Sequence, residues 1–114
     1  MAELSSEILA TVATLQGQLL AIINEATAVD FLLTRNVGET AATIESFEDL
    51  ASIREKATGI YSRLSVLLLR IAEYQPATPI AMMQLLIATI EQGQEARPAL
   101  VRSIEEVKLN WGLT

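Results

Sequence analysis

Apolar residues recur through the first third of the chain at alternating spacings of four and three. This spacing is the a/d repeat of a helix that packs along its whole length against other helices. The repeat is unbroken over eight positions: Ile8, Val12, Leu15, Leu19, Ile22, Ala26, Val29 and Leu33. Leu9, Leu20 and Ile23 widen it into a stripe that we predict to face a core.

The ends of this first helix are marked by local signals. Ser5 or Ser6 can act as the N-cap, because a serine hydroxyl accepts a hydrogen bond from an amide of the first turn. Acidic Glu7 follows in that turn, where the helix dipole favours negative charge. Asn36-Val37-Gly38 supplies the stop, with Arg35 near the negative end of the helix.

A second helical repeat follows, but its start is ambiguous. Ser46 and Asp49 resemble a capping box, although Asp is shorter than the preferred Glu. The alternative is a start near residues 39–40, so the segment 37–45 is either a loop or a short preliminary helix. The run ends before Pro76, since the residue before a proline resists helical geometry. The repeat positions are Leu50, Ile53, Ala57, Ile60, Leu64, Leu67, Ile71 and Tyr74.

A third helix is predicted to open at Thr78-Pro79, with Thr78 as the N-cap and Pro79 at the first helical position. Pro98 lacks an amide hydrogen and clashes with the carbonyl four residues before it. We therefore predict either a kink or a break within residues 91–98, and we favour the kink. The repeat positions are Met83, Leu86, Ile90, Gly93, Arg97, Leu100, Ile104, Val107 and Trp111.

These three repeats indicate a single all-α domain that spans residues 1–114. Short connections make sequential helices antiparallel neighbours, so we predict an elongated antiparallel three-helix bundle. A break of the third helix near Gly93–Pro98 would give a four-helix bundle instead. Aromatic residues make up only 4% of the chain, so the core is predicted to be aliphatic. We expect more than about 70% helix and no sheet.

The composition excludes several classes of function. The chain has no Cys and no His, which removes thiolate nucleophiles, Cys/His zinc sites and His-based triads. Its net charge is −6 and its basic residues are scattered, which disfavours nucleic acids and anionic membranes as partners. Neither charge-free stretch reaches the ~20 apolar residues of a membrane span, and the acidic start differs from a signal peptide. We expect a cytoplasmic protein without a cofactor.

Charged residues are distributed unevenly along the chain. None occurs in residues 8–24 or 75–90, and an antiparallel bundle places both stretches at the same end. Seventeen of the twenty-two charged residues lie in 25–59 and 91–114. We call the part formed by residues 8–24 and 60–90 the charge-poor end. Its only charged residues are Arg63, Arg70 and Glu73.

The back of the first helix, opposite its repeat, carries small uncharged residues where a solvated helix usually carries Lys, Glu or Arg. Small residues permit close helix approach, so we predict an interface there. The alternatives are a solvated Thr/Gln/Ala-rich face, or a face covered by a fourth segment of the chain. The positions are Ala10, Thr14, Gly17, Ala21, Asn24 and Ala28. Trp111 is either a further interface anchor or the last repeat residue, capping the charged end.

The function predicted from these features is that of a non-enzymatic structural or interaction protein. It would self-associate or dock into a larger assembly through its charge-poor end and the back of the first helix. The first alternative is a bundle that binds a small molecule or ion in a pocket at its apolar end. The second is an enzyme with a carboxylate-bound metal, since Glu91 and Glu95 share a helix face and could ligate a hard cation.

Overall fold

The computed structural model describes residues 4–74 and 76–113. It contains three helices: α1 (Ser6–Asn36), α2 (Ile44–Ala72) and α3 (Ile80–Trp111). Helix accounts for 84% of the described residues, and no strand occurs among them. The helices pack into a rod whose Cα atoms extend over 56 × 20 × 18 Å. The predicted all-α fold and its three-helix bundle are confirmed.

The three repeats form the core, as predicted. Their buried members are Val12, Leu15, Leu19, Ile22, Ala26, Val29, Leu33, Leu50, Ile53, Ala57, Ile60, Leu64, Leu67, Ile71, Leu86, Ile90, Leu100, Ile104 and Val107. The predicted widening of the α1 stripe is wrong for Leu9 and Leu20, which are 45% and 49% exposed. A helix with only two neighbours buries a narrow seam, and the positions beside that seam face solvent. Tyr74 is also exposed, because it follows the end of α2 at Ala72.

The third helix is continuous through Pro98, so the alternative of a break, and with it the four-helix bundle, is wrong. The buried Gly93 explains why this middle segment lacks large core residues. A Cβ on Gly93 would lie 2.8 Å from Leu15 Cδ2 and 3.1 Å from Ile60 Cγ2. All three helices therefore meet at Gly93, where a side chain would have to displace methyl groups of Leu15 and Ile60.

The start of α1 matches its prediction, whereas the start of α2 does not. Ser5 Oγ accepts the Ile8 amide hydrogen at 3.1 Å. Helix α2 begins at Ile44 with Thr43 as the N-cap residue, so the predicted capping box at Ser46 is wrong and Ser46 lies inside the helix. The segment between α1 and α2 is a loop, as one of the two alternatives predicted.

Thr43 holds this loop together through its hydroxyl group. The side chain is fully buried. Its Oγ1 donates to the Gly38 carbonyl at 2.8 Å and accepts the Thr40 amide hydrogen at 2.8 Å. Gly38 adopts a φ of 84°, a conformation that glycine permits and that favours the turn after α1.

Helix α3 begins one residue after the predicted position, and Thr78 does not cap it. The Pro79 carbonyl accepts the Met83 amide hydrogen at 3.3 Å and so opens the helix. Thr78 is buried, and its hydroxyl donates to the Ile71 carbonyl at 3.3 Å. The prediction is wrong because this hydroxyl bonds a carbonyl at the end of α2 instead of an amide of α3.

Polar contacts confirm that sequential helices are antiparallel. Gln16 Nε2 donates to the Tyr61 carbonyl at 3.3 Å and to Ser65 Oγ at 2.8 Å. Arg63 Nη1 donates to Gln92 Oε1 at 3.0 Å. The N-terminal half of α1 therefore lies beside the C-terminal half of α2, and this half of α2 lies beside the N-terminal part of α3. The charge-poor segments thus share one end of the rod.

Candidate functional site

A continuous face of α1 points away from the core. We call it the outer face of α1. Every residue on it is exposed, and none is charged. It consists of Leu9, Ala10, Ala13, Thr14, Gly17, Leu20, Ala21, Asn24, Thr27, Ala28 and Phe31. The outer face therefore includes all six positions predicted for the back of the first helix, namely Ala10, Thr14, Gly17, Ala21, Asn24 and Ala28.

Three large apolar residues of this surface were missed in the sequence. The sequence predicts a core position for Leu9 and Leu20, and the repeat makes no prediction for Phe31, which is 61% exposed. Their positions relative to the repeat indicate that they lie outside the core. Leu20 follows the repeat residue Leu19 by one position, and Phe31 follows Val29 by two, so both point away from the seam.

The hydropathy of α1 is high for a helix with an open outer face. An 18-residue window within Ser6–Asn36 has a mean hydropathy of 1.4, and 22% of that window is buried inside the bundle. By length and composition alone, α1 is the one helix of the described chain that could cross a membrane, a criterion that core helices of soluble proteins also meet. Most of the residues in this apolar window therefore lie outside the core.

Two shallow grooves run between α1 and α3 beside the outer face. One, of about 300 Å³, is lined by four apolar and four polar or charged residues: Ala21, Ile22, Val101 and Ile104, with Gln18, Glu25, Arg97 and Glu105. The other adjoins Ala10 and Thr14 on α1 and is closed on the α3 side by Gln94 and Arg97. The small side chains of α1 thus leave shallow grooves next to the outer face.

The acidic residues at the margins of the outer face are paired with neighbouring helices. Lys108 Nζ lies 3.2 Å from Glu25 Oε1, and Arg54 Nη1 lies 3.2 Å from Asp30 Oδ2. The hydrogen bond from Lys108 to Glu25, together with the charge of Glu25, raises the pKa of Lys108 above 10.5. These pairs bind α1 to α3 and α2, and they keep both carboxylates at the sides of the outer face.

A charged residue lies beyond each end of the outer face along the axis of α1. Glu7 lies in the first turn of α1 and Arg35 in the last turn. Both are exposed, and neither forms an ion pair with another residue that the structure describes. The Arg35 guanidinium lies 5.9 Å from the centre of the Phe31 ring. Seven-residue steps connect the two charges along a row that turns by about 20° per step around a straight helix: Glu7, Thr14, Ala21, Ala28 and Arg35.

Trp111 is not part of the outer face of α1. It is the last residue of α3 and packs partly buried against the core. Its Nε1 donates to Ser46 Oγ at 2.9 Å, which ties the end of α3 to the first turns of α2. Its predicted role as an interface anchor stays a prediction.

Within residues 4–74 and 76–113, no group of three acidic side chains lies close enough to hold a metal ion. Glu91 and Glu95 are both exposed on α3. The chain matches no protein-family model, no curated protein and no solved structure.

Proposed function

We propose that this protein is a non-enzymatic interaction subunit. In this proposal it binds another protein chain through the outer face of α1, with the exposed apolar residues of the charge-poor end extending the contact. The observation that carries the proposal is an exposed helix face without a charge from Leu9 to Phe31. At 1.5 Å per residue, this face is about 33 Å long.

The contrast with the other helices supports this proposal. The exposed residues of α2 include Glu48, Glu55, Lys56 and Arg63, as is usual for a solvated helix. The outer face of α1 instead exposes Ala, Gly, Thr and large apolar side chains. Since contiguous exposed apolar surface is uncommon on monomers and often marks an interaction site, the outer face is best explained by a protein partner.

Further exposed apolar residues lie at the charge-poor end. Leu69 and Ile80 are among the most exposed large apolar residues of the described chain. The centre of a protein interface is depleted in charged residues, and its rim is polar. The charge-poor end shares the depletion in charge, since Arg63, Arg70 and Glu73 are its only charged residues. The residues concerned on α2 and α3 are Val66, Leu69, Ile80, Leu85 and Ile87.

The absence of cysteine makes a direct test possible. Gly17 lies on the outer face of α1 and Gly59 lies on α2; both are exposed, and a Cβ at either position would meet nothing within 4 Å. Gly17→Cys and Gly59→Cys are therefore matched variants. Each would be labelled with a bulky maleimide, once as dilute purified protein and once in an extract of the source cells.

We expect Gly17→Cys to react more slowly in the extract than in dilute solution, because a bound chain would shield it. Gly59→Cys should react at the same rate in both. Equal rates for Gly17→Cys in the two conditions, from a protein that also stays monomeric when concentrated, would contradict the proposed function.

Charged substitutions provide a second test of the same surface. Gly17→Glu and Ala21→Arg should leave the fold intact, since both positions are exposed, but should remove the shielding by placing a charge in the interface. Gly59→Glu is the control and should change neither folding nor shielding. Folded Gly17→Glu and Ala21→Arg proteins with unchanged shielding would show that this face is only solvated.

A further inference from the structure

We infer that the chain bound on the outer face of α1 is a second copy of this protein, in antiparallel orientation and with the two-fold axis at Ala21. This inference rests on the proposed function and adds the identity and direction of the partner. It is carried by the positions of Glu7 and Arg35 relative to the uncharged residues between them.

Glu7 and Arg35 lie fourteen residues before and after Ala21 in the same row of α1. In an antiparallel pair centred at Ala21, residues equally distant from the centre face each other. Glu7 of each copy then faces Arg35 of the other, and Thr14 faces Ala28. A two-fold interface uses the same surface twice, so the pair of opposite charges forms at both ends.

If two copies instead paired in parallel through the same row of residues, like charges would meet. Glu7 would face Glu7 and Arg35 would face Arg35, and like charges in contact are unfavourable. Between these ends the row contains only Thr14, Ala21 and Ala28, which are small and exposed. Two helices can therefore approach to about 8–10 Å between their axes. The charges select the direction, and the small residues permit the contact.

The neighbouring row of exposed residues on α1 is also compatible with an antiparallel pair. It contains Ala10, Gly17, Asn24 and Phe31. In the antiparallel pair, Phe31 lies within one residue, about 1.5 Å along the axis, of Ala10 of the second copy, and Asn24 lies equally close to Gly17. The largest exposed side chain of the outer face thus meets one of the smallest, and this small residue adjoins the groove between α1 and α3.

The extent of the contact indicates a weak dimer. Half of the lateral surface of a helix about 10 Å wide and about 33 Å long is roughly 500 Å² for each copy. A total near 1,000 Å² lies at the lower limit for specific protein interfaces. We therefore expect association that depends on concentration, and light scattering at two concentrations should show a rise in mass.

Cysteine crosslinking tests the antiparallel arrangement. Ala21→Cys should form a disulfide-linked dimer on mild oxidation, since the two copies meet at the axis within the reach of a disulfide. Thr14→Cys alone should not crosslink, because the two Cys would lie about 21 Å apart along the helix. The double variant Thr14→Cys/Ala28→Cys should crosslink again. Crosslinking of Thr14→Cys alone would indicate a parallel pair and overturn the inference.

Charge reversal tests the ends of the contact. Glu7→Arg alone and Arg35→Glu alone should each weaken the dimer, on the order of tenfold at low salt, since each creates two like-charge contacts. The double variant Glu7→Arg/Arg35→Glu restores opposite charges at both ends and should regain the wild-type dissociation constant. A double variant as weak as the two single variants would overturn the pairing.

The outcomes separate this inference from the proposed function. If purified protein stays monomeric at every concentration while Gly17→Cys is shielded in the cell extract, self-pairing is wrong and the partner is a different chain. If the protein is monomeric and Gly17→Cys is unshielded, both fail. Flotation of the monomer with phosphatidylcholine vesicles, abolished by Gly17→Glu, would assign the face to a membrane surface and overturn self-pairing.

Discussion

Gly93→Ala measures how closely the three helices approach one another. The added Cβ would lie 2.8 Å from Leu15 Cδ2 and 3.1 Å from Ile60 Cγ2, whereas carbon atoms pack best at about 3.5–4.0 Å. Leu15 and Ile60 are both buried, so their methyl groups have no solvent into which they can move. The β-branched side chain of Ile60 is also stiff. Overpacking of this kind costs about 1–3 kcal/mol.

The same substitution also stabilises the helix, because Ala has a helix propensity about 1 kcal/mol more favourable than that of Gly. Gly59→Ala isolates that term, since its Cβ meets nothing within 4 Å. We therefore expect Gly59→Ala to raise the free energy of unfolding by about 0.5–1 kcal/mol. Gly93→Ala should lie about 1–3 kcal/mol below Gly59→Ala.

Urea unfolding followed by helical dichroism would measure the difference, in protein dilute enough to be monomeric. The slope of the free energy against urea should be the same for both variants, since the surface exposed on unfolding is unchanged. In thermal melts, 1 kcal/mol corresponds to roughly 4 °C for a domain of this size. A Gly93→Ala protein as stable as Gly59→Ala would show that the helices do not meet at Gly93.

Three further substitutions test the core, the loop and the lateral ion pair. Leu19→Asp should unfold the bundle, because an unpaired buried charge costs several kcal/mol against a total stability of about 5–15 kcal/mol; a cooperative melt near that of the wild type would contradict the burial of Leu19. Thr43→Val should lower the free energy of urea unfolding by about 1–3 kcal/mol, since the loop groups bonded by its hydroxyl lose their partner; equal stability would show that the hydroxyl is dispensable. The pKa of Lys108 is raised above 10.5, so its pairing with Glu25 contributes fully below that pH and is lost as the pH rises through the folded-state pKa. The difference in melting temperature between the wild type and Glu25→Gln should therefore shrink in alkali, and a constant difference would contradict the pairing.

The core could be predicted from the sequence because the a/d repeat depends only on the geometry of a single helix. All the repeat residues of α1 from Val12 to Leu33 are buried. The width of the buried stripe could not be predicted in the same way, since it depends on how many helices surround α1. For this reason Leu9 and Leu20 were placed in the core, although they are exposed.

Cap signals and helix breakers were less reliable, because each has a tertiary alternative. Thr78 and Ser46 both have the side chain of a cap, but their hydroxyls bond Ile71 and Trp111 instead. Pro98 and Gly93 are unfavourable inside an isolated helix, yet α3 continues through both. The packing of α3 against two neighbouring helices outweighs these local costs.

The candidate site was predictable in its position but not in its full composition. The lack of charge from Ile8 to Asn24 is visible in the sequence, and the repeat fixes which side of α1 points outward. Phe31 lies outside that stretch, between the charged residues Asp30 and Arg35. The sequence therefore does not indicate that Phe31 belongs to the same uncharged face. Only the structure shows that the Asp30 carboxylate pairs with Arg54 of α2, beside the outer face.

The hydrogen bonds of Gln16 contribute to the axial register of the bundle. An aliphatic heptad repeat permits slippage by seven residues, or about 10 Å, because Leu and Ile would again meet Leu and Ile. Gln16 removes this degeneracy by donating to the Tyr61 carbonyl and the Ser65 hydroxyl. After such a shift, Ser65 would face Leu9 or Ile23 and lose the amide that now bonds its hydroxyl. The polar contacts of Gln16 thus add to the close packing at Gly93 in favouring the native alignment over a shifted one.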